Sequence, residues 1–220
     1  MANPNSCAVL TGDLINSRRA GTAAVAQTFD HLRDAATRFG TAWDLDLRFT
    51  RYRGDGWQIV LTTPGLLLDA ALYFMARLKA ERSEIATRIS IGVGRVETLG
   101  SRDLSDATGP AFFTSGDLLG GMGRNRMFAL AGEGIGVAQV AIVDLAEGIA
   151  TGWTATQAQA AALHFEGRLE RHEDIAQELG VTRQAVQSRL SGAGLSYFDN
   201  ALYALRTQDF AVTAQAFPDA

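Results

Sequence analysis

The chain has almost no cysteine and almost no lysine: Cys7 and Lys79 are the only residues of each kind in 220. One cysteine excludes an internal disulfide framework and a cysteine-rich zinc site. Among small apolar neighbours, Cys7 reads as a buried strand residue rather than a nucleophile. Long apolar runs are missing too. Stretches such as 66–68 and 140–143 fall far short of the roughly 20 residues a membrane span needs. No basic-then-apolar leader precedes the first strand-like run. Together these features point to a reducing, cytoplasmic setting without a membrane partner. His31, His164 and His172 are scattered without ligand spacing, so they are expected at surface or cap positions, and no Ser-His-Asp arrangement emerges. Gly92 and Gly94 do not open a helix, which excludes a Walker or dinucleotide loop. They instead let a strand approach its neighbour closely. The net charge of −4 gives no basic coat for nucleic acid. Partners have to be read from local motifs.

The periodicities that are present define an α+β N-terminal part. Residues 7–10 form an apolar strand-like run entering Thr11-Gly12-Asp13. Val25, Phe29, Leu32 and Ala36 recur at spacings of three and four, predicting a helix over 22–39. Leu45, Leu47 and Phe49 alternate with polar residues, and so do Trp57, Ile59 and Leu61. With Gly54-Asp55-Gly56 between them, this predicts a β-hairpin with Asp55 at its tip. Pro64 opens a second helix reaching about Arg82. A strand is expected over 85–96, a helix from Gly109-Pro110 to Met122, a strand over 126–131 and a helix over 138–146. Ser115-Gly116 inside the third helix would permit tight packing, with a dimer seam as one expected place for it. The order suits an antiparallel or mixed sheet with helices on one face, the ferredoxin-like architecture of palm domains. A boundary near 148–152 divides a domain of residues 1–150 from one of 151–220. The tail, 210–220, reads as peripheral.

The second part carries a sharper signal. Residues 173–190 read EDIAQELGVTRQAVQSRL. Ala176 is small where two helices cross, Gly180 allows a left-handed turn, and Thr182 can cap the next helix. Ile175, Leu179, Val181, Val186 and Leu190 supply the packing. Thr182, Arg183, Gln184, Gln187 and Arg189 are then the candidate DNA contacts, since Arg and Gln match guanine and adenine edges. Five arginines face eight acidic residues over 151–220, a net charge of −3. Phosphate contacts are therefore few, and a dimer would be needed to supply more.

Asp13 and Asp55 are the candidate ligand pair. In a ferredoxin-like sheet the first strand neighbours the hairpin, so both carboxylates can converge. Two such groups at a sheet rim are hard oxygen ligands for Mg²⁺ or Mn²⁺ carrying a nucleotide's phosphates. Ser17, Arg18 and Arg19 could add phosphate contacts. The plain alternative is that each aspartate only tightens a turn. Trp57 beside them reads as core, with a ring able to stack on a base.

Two family resemblances bear on these residues. The placing of Asp13 and Asp55 resembles the metal-binding aspartates of class III nucleotidyl cyclases, with RISIGVG at 88–94 similar to the next strand. The resemblance implies that Arg51 and Asp106 lie near the base. It departs at Phe113 and Asp117, which stand where the cyclases present an asparagine for ribose and an arginine for the transition state. The segments GDLINSR at 12–18, Arg53-Gly54-Asp55, RISIGVG and Gly109-Pro110-Ala111-Phe112 also resemble the SatD family, as does Trp153-Thr154-Ala155-Thr156-Gln157 leading into the helix-turn-helix. Residues 153–205 resemble the helix-turn-helix of sigma-factor region four. These resemblances imply a palm-like fold, a nucleotide or metal site, and a homodimer. Three functions follow as expectations: a regulator in which a nucleotide-binding domain controls a DNA-binding helix-turn-helix, a divergent nucleotidyl cyclase or nucleotidyltransferase, and a non-catalytic oligomerisation scaffold.

Overall fold

The structure, a computed structural model, describes residues 6–52, 54–82, 84–101, 103–169 and 171–211. Strand β1 (Ser6–Ile15) leads through a single helical turn, α1 (Ser17–Ala20), into α2 (Thr22–Trp43). The hairpin strands are β2 (Thr50–Tyr52) and β3 (Gly56–Leu61). Pro64 starts a 3₁₀ turn that opens into α3 (Leu67–Ala80), followed by β4 (Ala86–Arg95), α4 (Pro110–Gly121), β5 (Phe128–Gly132) and α5 (Val137–Thr151). The C-terminal helices are α6 (Ala155–Glu166), α7 (His172–Leu179), α8 (Arg183–Gly192) and α9 (Asp199–Arg206). Among the described residues no helix is long and apolar enough to cross a membrane.

The chain is α+β, with one five-stranded mixed sheet in the order β2-β3-β1-β4-β5. Strand β1 pairs antiparallel with both β3 and β4, and β5 joins β4 in parallel. Because side chains alternate along a strand, β1 presents two different faces. Ala8, Leu10 and Leu14 join Trp57, Ile59, Leu61, Ile89 and Ile91 in the main core with α2 and α3. Apolar residues surround α3 almost completely, and it is buried accordingly, touching α2, β4 and α6. The same core continues into the C-terminal helices through Phe165, Ile175, Val186, Leu190 and Phe198.

Helices do not confine themselves to one face of the sheet, contrary to the expectation from element order. Helix α4 covers the second face, where Cys7, Val9 and Val60 meet Ala111 and Phe112. Gly92 makes this possible: a Cβ there would lie 2.3 Å from the Ala111 carbonyl oxygen and 2.5 Å from the Ser115 amide nitrogen. The seam is sealed by hydroxyls. Thr11 and Ser115 share a 2.8 Å hydrogen bond, Ser90 donates to the Ser115 carbonyl at 2.6 Å, and Gln58 donates to Thr11. Ser115 is thus consumed within the chain, while Gly116 beside it faces open space.

Candidate functional site

Asp13 lies on the α4 face near the end of β1, directly across the ladder from Arg88 on β4. Two side chains facing each other in an antiparallel pair are within contact distance. The guanidinium takes both carboxylate oxygens: Arg88 Nε donates to Oδ1 at 2.9 Å and Nη2 to Oδ2 at 2.5 Å. The remaining terminal nitrogen, Nη1, reaches the Met122 carbonyl just beyond α4 at 3.3 Å. Both side chains are largely shielded, with relative exposures of 21% for Arg88 and 29% for Asp13. The hydrogen bonds to Asp13, together with the charges of Asp13 and Asp55, hold the guanidinium above the usual arginine range despite its desolvation.

Asp55 belongs to the same rim. Its backbone carbonyl accepts from the Leu14 amide at 3.1 Å, which extends the β1–β3 ladder past Asp13. Its Oδ2 accepts from the Ser17 hydroxyl at 2.7 Å. That bond joins the hairpin to α1. The left-handed backbone of Asn16 (φ 65°) turns the chain sharply enough to bring Ser17 back over the hairpin. Two pairs thus occupy the same end of β1, Asp13 with Arg88 and Asp55 with Ser17, and Arg88 feels the charge of both carboxylates. Arg19 instead pairs with Glu84 at the surface, and Arg18 is exposed without an ion pair to any described residue.

Arg51 and Asp106 lie elsewhere. Arg51 sits opposite Trp57 in the β2–β3 register, and Trp57 faces the α2–α3 core. The Arg51 guanidinium accordingly lies 4.1 Å from the centre of the Phe29 ring on α2 and donates twice to the Gly54 carbonyl. That is the face opposite Asp13. Asp106 is exposed in the β4–α4 loop, where it accepts from the Ser101 amide at 3.3 Å. Phe113 and Asp117 are exposed on α4. Trp57 is fully buried between Phe49 and Phe74, and its indole N–H donates to Thr87. Its ring is not available for stacking on a base. Arg53 of the hairpin motif lies outside the described residues.

The C-terminal helices hold their candidate residues differently, about the turn between α7 and α8. Gly180 adopts the left-handed conformation (φ 63°, ψ 36°) that closes α7. Two residues later the Thr182 hydroxyl accepts from the Ala185 amide at 3.1 Å and caps α8. Ile175 and Val186 are fully buried where the helices meet, with Ala176 and Leu190 nearly so. This leaves Thr182, Arg183, Gln184 and Gln187 exposed and Arg189 half-buried. Arg183 is tied to Glu173 at 2.7 Å, so its charge is already partly answered within the chain.

A divalent cation does not fit the aspartate pair as it is folded. Both oxygens of Asp13 are committed to a guanidinium that stays charged at any physiological pH. Among the described residues, no group of three or more His, Cys, Asp or Glu side chains is placed to hold a metal ion. Arg88 is the residue that sequence reasoning missed. The available signal was its place opposite Asp13 once β1 and β4 are paired. No family model, no curated protein and no solved structure matches the chain.

Proposed function

We propose that the chain is a transcriptional regulator in which α7 and α8 form a DNA-reading helix-turn-helix and the α/β part receives a nucleotide-type ligand. The observation that carries the DNA reading is the junction at residues 179–183. A left-handed glycine, a capping threonine and a small alanine at the crossing produce a tight turn between two short helices. The second helix turns a polar, uncharged pair, Gln184 and Gln187, to solvent. Such side chains pair bidentately with adenine in the major groove. The acidic surroundings leave phosphate contacts scarce, so a dimer presenting two copies of α8 is part of the proposal.

The α/β part supports a ferredoxin-like reading of the palm type. The strand order β2-β3-β1-β4, with antiparallel neighbours throughout, is the order such a domain requires. Its ligand end would be the rim that holds Ser17, Asp55 and the exposed Arg18. Phe113 and Asp117, standing where a cyclase needs a ribose ligand and a transition-state cation, favour binding over catalysis. A gel shift with genomic fragments at low salt tests the DNA reading. The full chain is expected to retard a subset of fragments, and Gln184→Ala/Gln187→Ala is expected to abolish that selectivity. Retardation of no fragment, or equal retardation by the folded double variant, would remove the reading.

A further inference from the structure

We propose that Arg88 is the resident cation of the Asp13–Asp55 rim, so that this chain excludes a free divalent metal ion from the site rather than recruiting one. The inference does not rest on DNA binding by α8.

Position is the first argument. Arg88 is delivered to Asp13 by strand register, not by a flexible loop, because the two residues are direct partners in the β1–β4 ladder. Its reach is then fixed at both ends of the fork. Nε and Nη2 bond the two Asp13 oxygens, and Nη1 bonds the carbonyl of Met122, where α4 ends. A fork held at three points loses little further freedom on pairing, and bidentate guanidinium–carboxylate pairs are among the stronger charge-assisted contacts.

Charge is the second argument. Counted alone, the carboxylates of Asp13 and Asp55 and the guanidinium of Arg88 sum to a single negative charge. A bare divalent ion would overshoot, giving a net positive charge in a half-buried place beside a fixed cation. Without the guanidinium, the same two carboxylates would match a divalent ion evenly. Metal entry must therefore break a bidentate pair and leave Arg88 without its counter-charge, and both steps oppose binding. Ser17 already satisfies one oxygen of Asp55, which lowers the incentive further.

The test uses the full chain and Mn²⁺ alone as the probe, with free Mn²⁺ followed by electron paramagnetic resonance. Arg88→Gln keeps a hydrogen-bonding side chain but removes the charge. It is expected to bind Mn²⁺ at least about tenfold more tightly than the wild-type chain, a change of about 1.4 kcal/mol. Arg88→Gln/Asp13→Asn should return to the wild-type level. Asp13→Asn by itself, which keeps Arg88, should leave the weak wild-type isotherm unchanged. If Asp13→Asn instead weakens Mn²⁺ binding, a metal shares the site with Arg88 and the proposal is overturned. A folded Arg88→Gln chain, verified by circular dichroism, that gains no affinity overturns it equally. Should Arg88→Gln not fold, the Asp13→Asn comparison still decides.

Discussion

Arg206→Ala tests how the C-terminal helices are fastened to the rest of the chain. Asp69, in the first turn of α3, is fully buried. Its partner is Arg206 at the end of α9, whose Nε donates to Oδ2 at 3.2 Å while Nη2 bonds Oδ1. Burial pushes the Asp69 carboxyl above its ordinary range, and the hydrogen bonds and charge of Arg206 pull it back. Removing the guanidinium strands a buried carboxylate, which costs about 3–5 kcal/mol at neutral pH. The carboxyl can escape only by taking up a proton. Its folded pKa lies above the unfolded value of about 3.9, so its contribution to stability is most favourable below that value and is lost as pH rises. The variant's folded pKa must rise further than the wild type's. The stability difference between the two proteins should therefore be small near pH 3.5 and should grow as pH rises between the two folded pKa values, by up to about 1.4 kcal/mol per unit. What persists in acid is the lost contact of the guanidinium with Trp43, 5.3 Å from the ring centre, at about 0.5–1 kcal/mol. Urea unfolding of both proteins across this range measures the difference, and common titrations cancel. A penalty of equal size at both ends of the range would refute the reasoning, because it would mean that Asp69 does not feel Arg206 as a charge.

Other substitutions probe the seam and the turn. Gly92→Ala puts a Cβ into the backbone of α4, and it should lower stability by about 1–3 kcal/mol in urea unfolding, with the helix displaced rather than melted. Thr182→Ala removes the cap of α8 and should cost about 1 kcal/mol in thermal or urea denaturation. Gly180→Ala must hold a Cβ at φ 63°, and about 1–2 kcal/mol is expected from the same measurement.

Where one element decides its own conformation, the sequence was a good guide. The spacing of Val25, Phe29, Leu32 and Ala36 marks α2, and Pro64 and Pro110 mark helix starts that the structure also has. Errors arise where a partner decides. Gly12-Asp13 looks like a turn, yet β1 runs on to Ile15 because β3 and β4 flank it and extend the ladder past this dipeptide. The alternation of Leu45, Leu47 and Phe49 predicts a strand, but the backbone is left-handed at Asp44 and Arg48, and regular pairing begins only at Thr50. Arg48 is held in that conformation by donating to the Leu99 and Gly100 carbonyls, a contact no local pattern encodes. Phe210 was read as part of a peripheral tail, whereas it is buried against Gly134; residues 212–220 lie outside the described residues. For the candidate site, the Asp55 backbone meets the end of β1 because β1 lies next to the hairpin. Arg51 was misjudged because strand alternation places it on the side of Trp57 and not of Asp13. Its chemistry was legible and its direction was not.

The most direct test of the DNA-reading claim is fluorescence anisotropy of the full chain with a retained genomic fragment, titrated across salt concentrations. Binding should occur at low salt and weaken with a shallow slope, since each phosphate contact contributes about −0.9 to the logarithmic salt dependence and α8 offers few cations. Gln184→Ala should reduce affinity for that fragment by about 1–3 kcal/mol while leaving the slope intact. Anisotropy that stays flat at the lowest salt, or an affinity indifferent to both Gln184 and Gln187, would contradict the account.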